Sequence, residues 1–182
     1  TAVCCLANTQ PVNDQPAVVR YIMDRAARAG GARVFPIDAV SVGREGEALA
    51  EIGEMVEAGA IAVSDSPRPV TNSLLMRRAL EYARSFDIPV VSHAEDPVLS
   101  DGGSVNEGRV STRIGLRGMP AASEESMVAR DLLLTRLTGG RLHLAHLSTA
   151  GSIALVERAR EDGLSVTCAV TPHHLSLIDE DV

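Results

Sequence analysis

Apolar residues in this chain fall into short continuous runs separated by longer amphipathic stretches. Residues 1–6 (TAVCCL), 32–40 (ARVFPIDAV), 60–63 (AIAV), 89–95 (PVVSHAE), 141–148 (RLHLAHLS) and 165–171 (SVTCAVT) each read as a short buried strand. Between them, apolar positions at helical spacing predict helices over 16–29, 45–58, 72–86, 122–137 and 149–162. In the second of these, Leu49, Ile52, Met55 and Val56 share a face and Gly59 stands where a C-cap would close the helix. Residues 96–120 are polar and Gly-rich without periodicity, and predict a long loop of the kind that is functional or disordered.

Six strands strictly alternating with five helices predict an α/β protein with a parallel sheet. Two architectures satisfy that pattern, an open doubly wound sheet or part of a (β/α)8 barrel. The doubly wound fold would favour a GxGxxG turn after the first strand, and none is present. Asn8, Asp65, His93, His146 and His173 instead follow or end successive strands. Polar groups at the carboxyl ends of several strands are how a barrel builds its active site, so the partial (β/α)8 TIM barrel is the expected fold. Six strands do not close an eight-stranded barrel, and residues 1–182 are expected to form one incomplete barrel domain.

Composition narrows the function. The 182 residues are 45% hydrophobic and 23% charged, with a formal net charge of −7, which argues against a phosphate-backbone binder. Two Phe, two Tyr and no Trp leave little for base stacking. No apolar run approaches the roughly 18 residues of a membrane helix. Cys4, Cys5 and Cys168 show no CxxC spacing and read as small buried hydrophobes in a reducing compartment. With no charged leader before the first apolar run, a cytoplasmic setting is expected.

Five histidines carry the candidate chemistry. Alternation places Val91, His93 and Glu95 on one face of their strand, and Leu142, Leu144 and His146 on one face of theirs. If both faces point inward, the two imidazoles meet at the strand mouth as half of a metal site. His143 then falls on the opposite face and reads as structural. Of His173 and His174, adjacent on an extended chain, at most one faces the site. Asp65 is placed to bridge metals, to act as a base, or merely to cap the next helix. Asn8 is placed to contact a substrate carboxylate or to make an Asx turn. Glu95 and Asp96 are candidate supporting carboxylates for His93. All 17 basic residues are arginine, so a carboxylated lysine cannot bridge metals within this chain.

Taken together, ANTQPV, SDSPRPV, VVSHAEDPVLSDGGSVNEG and the run from GMPAASEES through HLAHLST to VTPHHL resemble the class I dihydroorotases of the amidohydrolase superfamily. The resemblance covers essentially the whole chain. It implies a zinc-dependent barrel that interconverts dihydroorotate and carbamoyl aspartate in pyrimidine biosynthesis. It implies His93 and His146 as metal ligands and Asn8 as a substrate contact. The family's HxH pair with its following arginine, and its catalytic aspartate, belong to the first and last barrel strands, which match nothing in residues 1–182. No catalytic residue is therefore expected in this segment, and the segment alone is expected to be inactive. The family often carries two aspartates after the strand that AIAV matches, the second bridging the metals. Here the pair is Asp65-Ser66, so either Asp65 reaches the metal instead or the site holds one metal or none. Hydantoinases, allantoinases and class II dihydroorotases rely on the modified lysine and are disfavoured. The alternative is a non-catalytic homologue serving as a structural partner of aspartate transcarbamoylase. Open apolar edges on a six-strand segment also predict association, for example as a homodimer.

Overall fold

The computed structural model describes residues 1–182. Six strands form one parallel sheet: β1 (Ala2–Cys5), β2 (Arg33–Asp38), β3 (Ala62–Val63), β4 (Pro89–His93), β7 (Arg141–Ala145) and β8 (Val166–Cys168). A separate pair, β5 (Val105–Asn106) and β6 (Gly118–Met119), lies in the connection between β4 and β7. The helices are α1 (Pro16–Ala29), α2 (Ile52–Ala58), α3 (Ser73–Arg84), α4 (Arg109–Ile114), α5 (Ala122–Thr138) and α6 (Ala150–Glu161). None is long and apolar enough to cross a membrane.

Strand order decides the architecture. The main sheet runs β1-β2-β3-β4-β7-β8, so every crossover steps the same way and no point exists where the order reverses. Right-handed crossovers that never reverse put all helices on one face, which is barrel winding rather than double winding. The core obeys this winding. Twenty-five buried residues, among them Val63, Val90, Leu142, Leu144 and Val166, fill the layer between sheet and helices. On the opposite face only Ala62, Val91 and Ala145 cluster, with Ile37 against them.

Three expectations need correction. The helix predicted over 45–58 forms only from Ile52. Before it the chain makes a 3-10 turn at Val42–Arg44 and folds back so that Ser41 bridges Leu49. Gly43, Arg44 and Gly46 have positive φ there, and the Gly46 amide donates to Ser41 Oγ, itself bonded to Asp65, so the first turn of the predicted helix loses to tertiary hydrogen bonds. The predicted loop over 96–120 contains β5, α4 and β6. Its elements span two to six residues, too short to register as periodicity. Lastly, Cys4 and Cys168 are exposed and Cys5 half-buried, because β1 and β8 are the edge strands of the sheet.

Asp38, at the end of β2, is fully enclosed. Asn13 donates its amide to one carboxylate oxygen, while the other oxygen and the Asn13 carbonyl have no partner. Burial, opposed by the Asn13 bond, pushes the Asp38 carboxyl up to about 7 from its ordinary 3.8. The folded state therefore holds a proton that the unfolded chain releases across that window. Stability falls as pH rises between those values, and the loss persists above them. Asp38→Asn, neutral throughout and able to donate toward Asn13, removes the slope. Urea unfolding should find variant and wild type alike near the lower limit, with the variant about 1–3 kcal/mol more stable in mildly alkaline buffer.

Candidate functional site

His93 ends β4 and pairs in register with Ala145 of β7. Register partners in a parallel sheet share a face, and Ala145 belongs to the small inner cluster, so the His93 ring enters the concave side. Its Nε2 lies 3.4 Å from Glu95 Oε2, and Ser100 Oγ donates to Glu95 Oε1 at 2.6 Å. Its Nδ1 is buried without any hydrogen-bond partner. From the helix side, Ser92 Oγ donates to Asp131 Oδ2 at 2.6 Å, and Arg130 closes on the other oxygen of that carboxylate. Burial still pushes the Asp131 carboxyl up, against the pull of Arg130 and Ser92. This anchor ties the end of β4 to α5.

His146 reaches the site by a different route from the one alternation predicts. Leu142 and Leu144, the face it was expected to share, point into the helix layer. His143, assigned to the other face, is the inward one; it shares a 2.8 Å hydrogen bond with Thr167 and has a structural role. β7 ends at Ala145, and His146 takes a left-handed backbone with φ +61°. That turn re-aims the side chain. The two rings come to 5.8 Å between centroids at an interplanar angle of 61°. Burial, then His93 and His174, push the His146 imidazole below its ordinary pKa, which favours the neutral form that binds metals.

Both rings line a cleft of about 250 Å3 with mostly polar walls, at the carboxyl ends of the strands. His174 lines it and His173 does not, although the two sit in a 3-10 turn rather than on an extended chain. Glu95 stands in the wall, whereas Asp96 caps a local turn by accepting from the Val98 and Leu99 amides. Asn8 is exposed beyond the end of β1, at the same edge of the sheet but outside the cleft wall. Asp65 has other work: Val40 N and Ser41 N donate to Oδ1 at 2.8 and 3.1 Å, and Ser41 Oγ to Oδ2 at 2.5 Å. Burial pushes its carboxyl up despite these bonds. Neither Asp65 nor Ser66 lines the cleft, and here the Asp65 carboxylate fastens the loop after β2.

Glu124, Asn106 and Thr171 also line the cleft and carried no signal in the sequence. The partners of Glu124 and Asn106 lie far along the chain, in the 148–149 turn and at Asp179. The residues fit part of a metal site: two facing imidazoles, one with a buried unpartnered nitrogen. No group of three or more His, Cys, Asp or Glu converges to hold an ion. Two ligands are one fewer than the three protein ligands usual for catalytic zinc.

Residues 1–152 match the dihydro-orotase-like family. Dihydroorotases from Syntrophobacter fumaroxidans and Solibacter usitatus are 57% and 53% identical over 99% and 100% of the chain. The chain spans only 41% and 42% of the length of these curated relatives. Among solved structures, L-hydantoinase (dihydropyrimidinase) from Arthrobacter aurescens superposes over 100% of the chain and 42% of its own length, with TM-score 0.76 at 18% identity. A D-hydantoinase gives TM-score 0.71 at 18% identity, over 97% of the chain and 40% of its own. At that identity the likeness shows the fold, a partial (β/α)8 barrel.

Asp65→Ala should leave three buried donors unpaired and cost about 3 kcal/mol in urea unfolding. Loss of metal without loss of stability in that variant would instead mark Asp65 as a ligand.

Proposed function

The chain belongs to the dihydro-orotase-like family, and on that premise we propose that the protein carrying it is a zinc-dependent dihydroorotase. The reaction is reversible hydrolysis of the cyclic amide of dihydroorotate to carbamoyl aspartate. The observation that supports this best is the meeting of His93 and His146, 5.8 Å apart between ring centroids, at the carboxyl ends of adjacent strands. In this reading both histidines hold the metal. When bound, the ion supplies a nucleophile at neutral pH and polarises the carbonyl under attack.

The chain's own residues bind and orient. Glu95, 3.4 Å from His93 Nε2, holds that ring by its charge and leaves the buried Nδ1 free to ligate. Ser100 keeps the Glu95 carboxylate in place. Asn8 contacts the substrate's carboxylate across the mouth. The acid and base of the reaction are not among residues 1–182, and the segment by itself does not turn over. A cytoplasmic setting accords with pyrimidine synthesis. The non-catalytic alternative drew its support from Ser66, but that residue stands outside the cleft, and the paired imidazoles favour the enzyme.

In the full-length protein, His93→Ala and His146→Ala should each lower dihydroorotate hydrolysis by about 100-fold or more, with bound zinc falling in parallel. Metal analysis alongside a hydrolysis assay checks this. Retention of both zinc and activity in either variant would remove that histidine from the ligand set.

A further inference from the structure

The His146 ring makes no hydrogen bond, so its direction is set by the backbone that carries it. That backbone is left-handed at a non-glycine residue, which costs about 1–2 kcal/mol and persists only where the surroundings over-determine it. Two fastenings lie immediately beyond it. Leu147 is buried in the helix layer, and its amide donates to Ala169 O at 3.0 Å. Ser148 and Thr149 then give all four of their amide and hydroxyl donors to one carboxylate. Glu124 Oε2 accepts from Ser148 N at 2.9 Å and Ser148 Oγ at 2.7 Å. Glu124 Oε1 accepts from Thr149 N at 3.1 Å and Thr149 Oγ1 at 2.9 Å.

Glu124 stands in the first turn of α5, and Thr149 is the N-cap of α6, accepting from Ser152 N. The carboxylate thus sits at the amino end of α6, where exposed amides favour negative charge. Gly151 allows the approach. A Cβ there would lie 2.1 Å from Glu125 Oε1, so a larger residue would require that carboxylate to swing away.

The geometry points to Glu124 as the positioning residue that locks the 146–149 turn and so aims the His146 imidazole at the metal. This rests on reading His146 as a ligand. Glu124 does not itself ligate: both of its oxygens are committed to the turn. Its removal frees the turn to relax toward extended backbone, which would rotate His146 toward the helix layer.

The test measures zinc affinity of the full-length protein by competition with a chromophoric chelator. Glu124→Gln keeps the shape but sets an amide NH2 against donors, and should weaken zinc about 10–100-fold. Ser148→Ala, which removes one of the four bonds and no cap, should shift affinity the same way by less. Asn72→Ala removes the N-cap of α3, lowers stability by about 1 kcal/mol and should leave zinc affinity unchanged. Wild-type affinity in Glu124→Gln overturns the proposal, as does equal weakening in Asn72→Ala. If Glu124→Gln does not fold, wild-type affinity in Ser148→Ala overturns it. His146→Ala separates the two readings. Lost zinc there with wild-type affinity in Glu124→Gln defeats only the positioning role, whereas retained zinc in His146→Ala defeats the ligand reading and the positioning role with it.

Discussion

Side chains on a β strand alternate, and that constraint governs how two histidines on neighbouring strands can meet. His93 satisfies it directly, as the last inward residue of β4. His146 comes one residue after the inward Ala145, and on a continuing strand it would turn to the helices beside Leu144. The left-handed backbone at His146 breaks the alternation at that one residue. Its neighbours hold that turn in place: Leu147 is seated in the core, Thr149 caps α6, and the start of α5 closes over both. The site is therefore a property of the β7–α6 connection as much as of the sheet.

Carboxylates, two buried and one half-buried, fasten this connection and two others. Glu124 holds the turn after β7, Asp131 ties the end of β4 to α5 through Ser92, and Asp65 holds the loop after β2. Each accepts three or more hydrogen bonds, which is how a carboxylate is kept below the surface at tolerable cost. All three act near the carboxyl ends of strands, where loops would otherwise be free to move. For Glu124 the bonds outweigh burial, which by itself would raise the carboxyl, and hold it below the ordinary range. For Asp65 and Asp131 burial still prevails. Asp38 differs in keeping one oxygen unpartnered.

Much of the fold was legible in the residues. The six apolar runs became six parallel strands, and five of the helices lie where periodicity placed them, one of them shortened. His93 could be placed because its strand is regular up to the residue that matters. The shortened helix before Gly59 was not legible, since Leu49, Ile52, Met55 and Val56 have helical spacing while Ser41, held by the distant Asp65, takes the Gly46 amide. Neither were α4, β5 and β6, whose few residues complete no period.

By itself the sequence determined the alternating α/β order, the family motifs, the absence of lysine chemistry and which two histidines to watch. Periodicity and motif are local, and they survive without knowledge of neighbours. Tertiary structure decided which face of β7 looks inward, that Asp65 fastens the loop after β2, and that Glu124 stands behind the turn at His146. The last two depend on carboxylates that bond backbone amides 24 or 25 residues away, and a single strand or helix read alone contains no record of such a partner.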